Sequence, residues 1–134
     1  MIQKALLLLF ILISMKSNSQ TLETVSKLKL EYQKCLDKGN AMSNCSHAYY
    51  NQSDSLLNVV YKNLKTKISP KEQTKLKKEQ LEWLKKRDQY FQQIYADTKK
   101  QGIFTEGSRD FDMVIYDEEA NYVFARVKEL IRKI

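Results

Sequence analysis

The stretch Leu56-Leu57-Asn58-Val59-Val60-Tyr61-Lys62-Asn63-Leu64-Lys65-Thr66-Lys67-Ile68-Ser69-Pro70-Lys71-Glu72 decides how the chain folds. Before Ser69, Leu56, Leu57, Val60, Tyr61, Leu64 and Ile68 recur every three or four positions, which lines one face of a helix. Ser69 then suits an N-cap, Pro70 the first helical position where a missing N–H costs nothing, and Glu72 the carboxylate that reaches back to the cap. One helix stops and another starts within a few residues, the connection expected of neighbouring helices in an up-and-down bundle.

Working outward, the upstream helix is predicted from about Ala41 to Lys67, with Cys45, Ala48, Leu56, Leu57, Val60, Tyr61, Leu64 and Ile68 as its buried stripe. A shorter helix before it, starting near Thr21, carries Leu22, Val25, Leu28, Tyr32, Cys35 and Leu36 on one face. Between them Asp37-Lys38-Gly39-Asn40 offers a glycine for a left-handed cap and an asparagine to start the next helix. Downstream, Leu76, Gln80, Trp83, Leu84, Arg87, Tyr90, Phe91, Ile94 and Tyr95 keep helical spacing to about Lys100. Residues 101–108, with Gly102 and Gly107, read as a loop. A last helix from Arg109 or Phe111 uses Val114, Ile115, Ala120, Val123, Val127, Leu130 and Ile134. The expected fold is an all-α, small up-and-down bundle of three to four helices.

The N-terminus is of another kind. A basic start at Lys4, an unbroken apolar run from Ala5 to Ile13, and small residues Ser17 and Ser19 match a secretory signal peptide cleaved before Gln20. The run is too short to span a bilayer, so no transmembrane anchor is expected after cleavage. The domain is then residues 20–134, and losing Lys4 and Lys16 lowers the formal charge from +7 to +5. In an oxidising compartment the only two cysteines, Cys35 and Cys45, have one possible pairing, so a disulfide is expected at the first helical hairpin. The expected location is periplasmic or secreted.

Composition excludes several chemistries. One histidine and two cysteines cannot make a tetrahedral zinc site without carboxylates, and three scattered glycines give no phosphate-cradling loop. His47 has no recognisable nucleophile arrangement around it, so no catalytic residues, metal or cofactor are expected. Charge is uneven: residues 62–87 hold ten bases against three acids, and residues 97–119 seven acids against three bases. Lys71, Lys75, Lys77 and Lys78 are candidate anion-binding residues, for envelope polymers or lipid headgroups. Nucleic acid is not an expected partner, because the interleaved aromatics fall on the buried stripe and export removes the chain from it.

Two runs stand out together. Asp54-x-x-Leu57-Asn58-x-x-Tyr61, then Gln80-x-x-Trp83-Leu84-x-x-Arg87-Asp88, with Arg126-x-x-x-Leu130 near the end and Cys35 and Cys45 ahead, resemble the LprI-like lysozyme inhibitor N-terminal domain family over roughly residues 32–130. The resemblance implies a bacterial, exported, disulfide-stapled helical domain that binds a lysozyme-type muramidase without covalent chemistry. Many members carry a further cysteine just after the Arg-Asp pair and another in the last helix; here Tyr90 and Phe91 follow Asp88 and no cysteine lies beyond Cys45.

The motif residues also read physically. Asp54, Asn58 and Tyr61 share one helix face, and Gln80, Trp83, Arg87 and Asp88 much the same on the next. If those faces meet, a structural polar network is expected, with Arg87 paired to Asp54 and Tyr61 or Asn58 satisfying the groups beside Trp83. Since a cationic lysozyme would repel a +5 inhibitor, contact is expected at a local acidic patch, Asp110, Asp112, Asp117, Glu118 and Glu119.

Overall fold

A computed structural model describes residues 22–134; the expected signal peptide and its cleavage site lie outside the described residues. Four helices follow in order, α1 (Leu22–Asp37), α2 (Met42–Thr66), α3 (Pro70–Gln101) and α4 (Arg109–Ile131), and no strand is present among the described residues. The all-α bundle expected from periodicity is the observed one. At 32 residues α3 is about 48 Å long.

The boundary at Ser69 forms as the sequence dictates. Glu72 N–H donates to Ser69 Oγ at 3.3 Å, and Ser69 N–H donates to Glu72 Oε2 at 2.9 Å. At Gly39 the chain turns with φ 70°, and its N–H bonds Leu36 O at 2.9 Å to close α1. The start of α2 differs from expectation. Its N-cap is Ala41, in the left-handed region at φ 48° and with no side-chain cap, so Asn40 does not cap α2. The disulfide Cys35–Cys45, with Cα atoms 5.8 Å apart, closes the mouth of that turn and sets the backbone there in place of a cap.

The core is built around α4. In its C-terminal half Ala120, Val123, Phe124, Arg126, Val127 and Leu130 are all buried, so this helix is covered on most of its circumference. Tyr49, Leu56, Leu57, Val60 and Leu64 of α2 pack against it, as does Leu76 of α3. Ser46 and Ser53 are fully buried and return their hydroxyls to Ser43 O and Tyr50 O, at 3.0 and 2.6 Å. Two expectations about faces are corrected. Ala48 is exposed and Tyr49 takes the buried place, because α2 turns toward α4 by one residue. On α3 only Leu76, Ile94 and Thr98 are buried, and Tyr90 and Tyr95 are exposed, because α3 packs mainly on α4 and meets α2 at few points, among them Tyr50 against Phe91.

A second, smaller core of Ile94, Phe111 and Ile115, with Phe91 against it, joins the end of α3 to the start of α4. Between the two cores Tyr90 stacks on Tyr122 with ring centres 4.4 Å apart, and Phe91 meets Tyr122 edge-on. Aromatic contact therefore ties α3 to α4 just after the Arg-Asp pair, where this chain has no cysteine.

Candidate functional site

Helix order gives the bundle two ends of opposite charge. Lys133 Nζ reaches Glu79 Oε2 at 3.0 Å, while Tyr95 meets Phe111, so α3 and α4 run antiparallel. His47 lies over Tyr116, and Leu64 shares a surface hollow with Lys133, so α2 and α4 run parallel. One end thus gathers the α2–α3 turn and the C-terminus, with the basic segment 62–87 beside Lys128, Arg132 and Lys133. The other gathers the α1–α2 turn, the α3–α4 loop and the acidic segment 97–119.

Seven of the motif residues meet along one groove between α2 and α3, about 280 Å³ in volume. Leu57, Leu81 and Leu84 line it, with Asp54, Asn58, Tyr61, Lys77, Gln80 and Arg87 around them. The expected Arg87–Asp54 pair is not formed. Arg87 instead bonds its neighbour Asp88, Nη2 to Oδ1 at 2.7 Å, and lies near Trp83 and Phe91 with its guanidinium carbon 5.8 and 5.7 Å from their ring centres. The reason is spacing: without close α2–α3 packing the two faces stay apart and the groove stays open to water. Trp83 is used elsewhere, stacked toward Tyr122 of α4.

Arg126 is the charged motif residue that the core encloses. Only 7% exposed, it donates from Nε to Gln80 Oε1 at 3.0 Å and from Nη1 to Glu129 Oε2 at 2.9 Å, and its Nη2 has no partner among the described residues. It joins α4 to α3. Burial of an arginine is costly unless it is bonded, and these contacts meet most of that cost.

The acidic residues of α4 do not share one face. Asp110 and Asp112 sit exposed in its first turn, where they favour the helix dipole. Asp117 turns toward α1 and α2, where it adds to the effect of burial in raising the Tyr32 hydroxyl and in pushing Tyr49 up to about 12. Glu118 is exposed. Glu119 turns the other way, toward Tyr50 and Arg87, half-buried and with no hydrogen bond or ion pair among the described residues.

Burial pushes the Glu119 carboxyl from its ordinary 4.5 up to about 7, against the opposing pull of Arg87. The folded state therefore holds a proton that the unfolded chain has lost between those pH values. Stability from the neutral acid is complete below about pH 4.5 and falls as pH rises toward about 7. Taken alone the shift corresponds to roughly 3 kcal/mol; with half the group in solvent, about 1 kcal/mol is expected. Glu119→Gln should raise stability at pH 8 by that amount and flatten this part of the pH dependence, read from urea midpoints at pH 4.5 and 8.

Among the described residues no group of three or more His, Cys, Asp or Glu is placed to hold a metal. His47 is exposed beside Tyr116. Lys71, Lys75, Lys77 and Lys78 are exposed at the basic end, and none is in a salt bridge among the described residues. Sequence reading passed over one surface feature, the apolar pair Ile103-Phe104, exposed in the α3–α4 loop at the acidic end; its signal was two large apolar residues between Gly102 and Gly107. No helix among the described residues is long and apolar enough to cross a membrane, and the disulfide fits an oxidising compartment.

No curated protein and no solved structure is significantly similar to the chain. The family model of lysozyme inhibitor LprI matches residues 34–130, from the disulfide hairpin through the groove to Leu130, and the chain belongs to that family.

Proposed function

We propose that the protein is exported and inhibits a lysozyme-type muramidase by non-covalent binding, with its acidic end toward the enzyme. It is a binder and performs no catalysis. Family membership over residues 34–130 carries this reading. The charge separation removes the objection that a basic protein would be repelled by a cationic lysozyme. Local patches govern encounter more than total charge does, and the segment 97–119 has seven acids against three bases. Asp110, Asp112 and Glu118 are exposed for such a contact, while Asp117 and Glu119 sit deeper.

The test is a cell-wall turbidity assay with a cationic animal lysozyme and residues 20–134. Dose-dependent loss of lysis is expected, and Asp110→Lys with Glu118→Lys should slow association about tenfold at low salt. Undiminished lysis at excess protein would sink the reading. A second reading rests on the unpaired lysines Lys71, Lys75, Lys77 and Lys78: a basic face holding anionic envelope polymer or lipid headgroups. Its mark would be binding to anionic vesicles that collapses as salt rises and is abolished by charge reversal at Lys75, Lys77 and Lys78.

A further inference from the structure

Ile103 is 71% exposed, the most of any large apolar side chain among the described residues, and Phe104 beside it is 36% exposed. Water disfavours such a pair, and a slack loop would fold back to cover it. This loop is braced on both sides. Gly102 and Gly107 take φ 66° and 78° at its ends, backbone that other residues rarely adopt. The Glu106 carboxylate accepts the Tyr95 hydroxyl and, at 2.8 Å, pairs with Lys99, both from the last turns of α3. Ser108 N–H bonds Thr105 O at 2.9 Å, and Ser108 Oγ caps α4 through Phe111 N–H at 3.2 Å.

We propose that the Ile103–Phe104 loop is the wedge that enters the substrate cleft of the muramidase, a deepening that rests on the inhibitor reading. An enzyme that cuts a glycan strand holds it in a cleft, with two carboxyl groups flanking the bond that breaks. What blocks a cleft must be convex, apolar at its tip and already ordered, so that little entropy is lost on binding. The α3–α4 loop meets all three conditions. The neighbouring turn, Asp37-Lys38-Gly39-Asn40, is polar. The α2–α3 turn, at the cationic end, would be repelled by the same enzyme. The acidic segment resumes at Asp110, just behind the tip, so the surface that attracts the enzyme adjoins the surface that fills it. Lys100 and Arg109, which flank the tip in sequence and are in no salt bridge, suit the cleft's carboxyl groups.

The experiment compares the unmodified protein with the Ile103→Asp/Phe104→Asp variant in the turbidity assay, and tests competition with a chitin-derived trisaccharide seated in the lysozyme cleft. Ile103 is in water and Phe104 is about one-third exposed, so the melting temperature should fall by a few degrees at most; aspartate keeps the sign of the steering charge, so a loss of inhibition measured well below melting reports the apolar contact. The inhibition constant should rise at least about 30-fold, and the unmodified protein should compete with the trisaccharide. Glu106→Gln, which removes the Lys99 pair and leaves the tip intact, should weaken inhibition roughly threefold to tenfold through lost pre-organisation. Equal inhibition by parent and double variant, or inhibition indifferent to the trisaccharide, overturns the wedge and leaves the inhibitor reading standing. A dimer broken by the double variant with inhibition unchanged overturns it too, as a contact between copies. Lysis untouched by the unmodified protein removes both.

Discussion

Phe111→Ala should cost about 3–5 kcal/mol, the range for emptying a buried phenylalanine site. Phe111 is 1% exposed, in the first turn of α4, and it is the centre of the small core with Ile94 and Ile115. Tyr95 meets it edge-on with ring centres 5.3 Å apart. The melting temperature should fall by roughly 15–20 °C for a domain of this size. The loss should be local before it is global. The small core meets the main one through the partly buried Phe91, so hydrogen exchange should accelerate first at residues 94–115 while amides of α2 around Val60 and of α4 around Val127 keep their protection. Uniform loss of protection would show that the two cores unfold together. Phe111→Leu keeps most of the volume and should cost less than about 1.5 kcal/mol. Inhibition should follow the loop: weakened by the alanine variant at temperatures where the main core is intact, and retained by the leucine variant.

How far the sequence foretold this depends on whether the determinant was local. Ser69, Pro70 and Glu72 act within four residues, so their capping box was legible. Asn40 misled because the start of α2 is set by a cross-link to Cys35, and a clamp of that kind carries no propensity signal. Helical spacing gave the inward line of α3 but not its depth. Burial of Tyr90 and Tyr95 needs a helix close on each side, and α3 is packed closely on α4 alone. The same one-sided packing explains why Asp54 and Arg87, correctly placed on facing helices, stand across an open groove without meeting, Arg87 turning to Asp88. Arg126 was legible as a motif residue but not as a buried one, since an arginine 7% exposed contradicts its ordinary habit. The loop at 101–108 carried no periodicity, so it was read as connection alone.

Removing the disulfide should cost about 2–3 kcal/mol, from loop-closure entropy for so short a ring, and the effect should concentrate in α1. That helix buries only Val25 fully, with Leu28 and Tyr32 partly covered, while Leu22 and Leu30 are exposed. Tyr32 also stacks on Tyr49 at 4.2 Å and faces Asp117 of α4. So little buried surface cannot by itself offset the ordering of sixteen residues. The bond also keeps Ala41 left-handed, a conformation worth avoiding by roughly 1 kcal/mol for a residue with a Cβ, and α2 has no side-chain cap or first-turn acid to start it otherwise. Cys35→Ser/Cys45→Ser should therefore melt roughly 10–15 °C lower and lose exchange protection throughout α1 and in the first turn of α2. Ala41→Gly in the oxidised protein should recover about half a kilocalorie by relieving that strain. The α3–α4 loop, tied to α3 through Glu106 and to the start of α4 through Ser108, does not use the disulfide. Inhibition by the reduced protein below its melting temperature should therefore match that of the oxidised one. A reduced protein that stays folded yet loses inhibition would place the contact at the Cys35–Cys45 hairpin and away from Ile103.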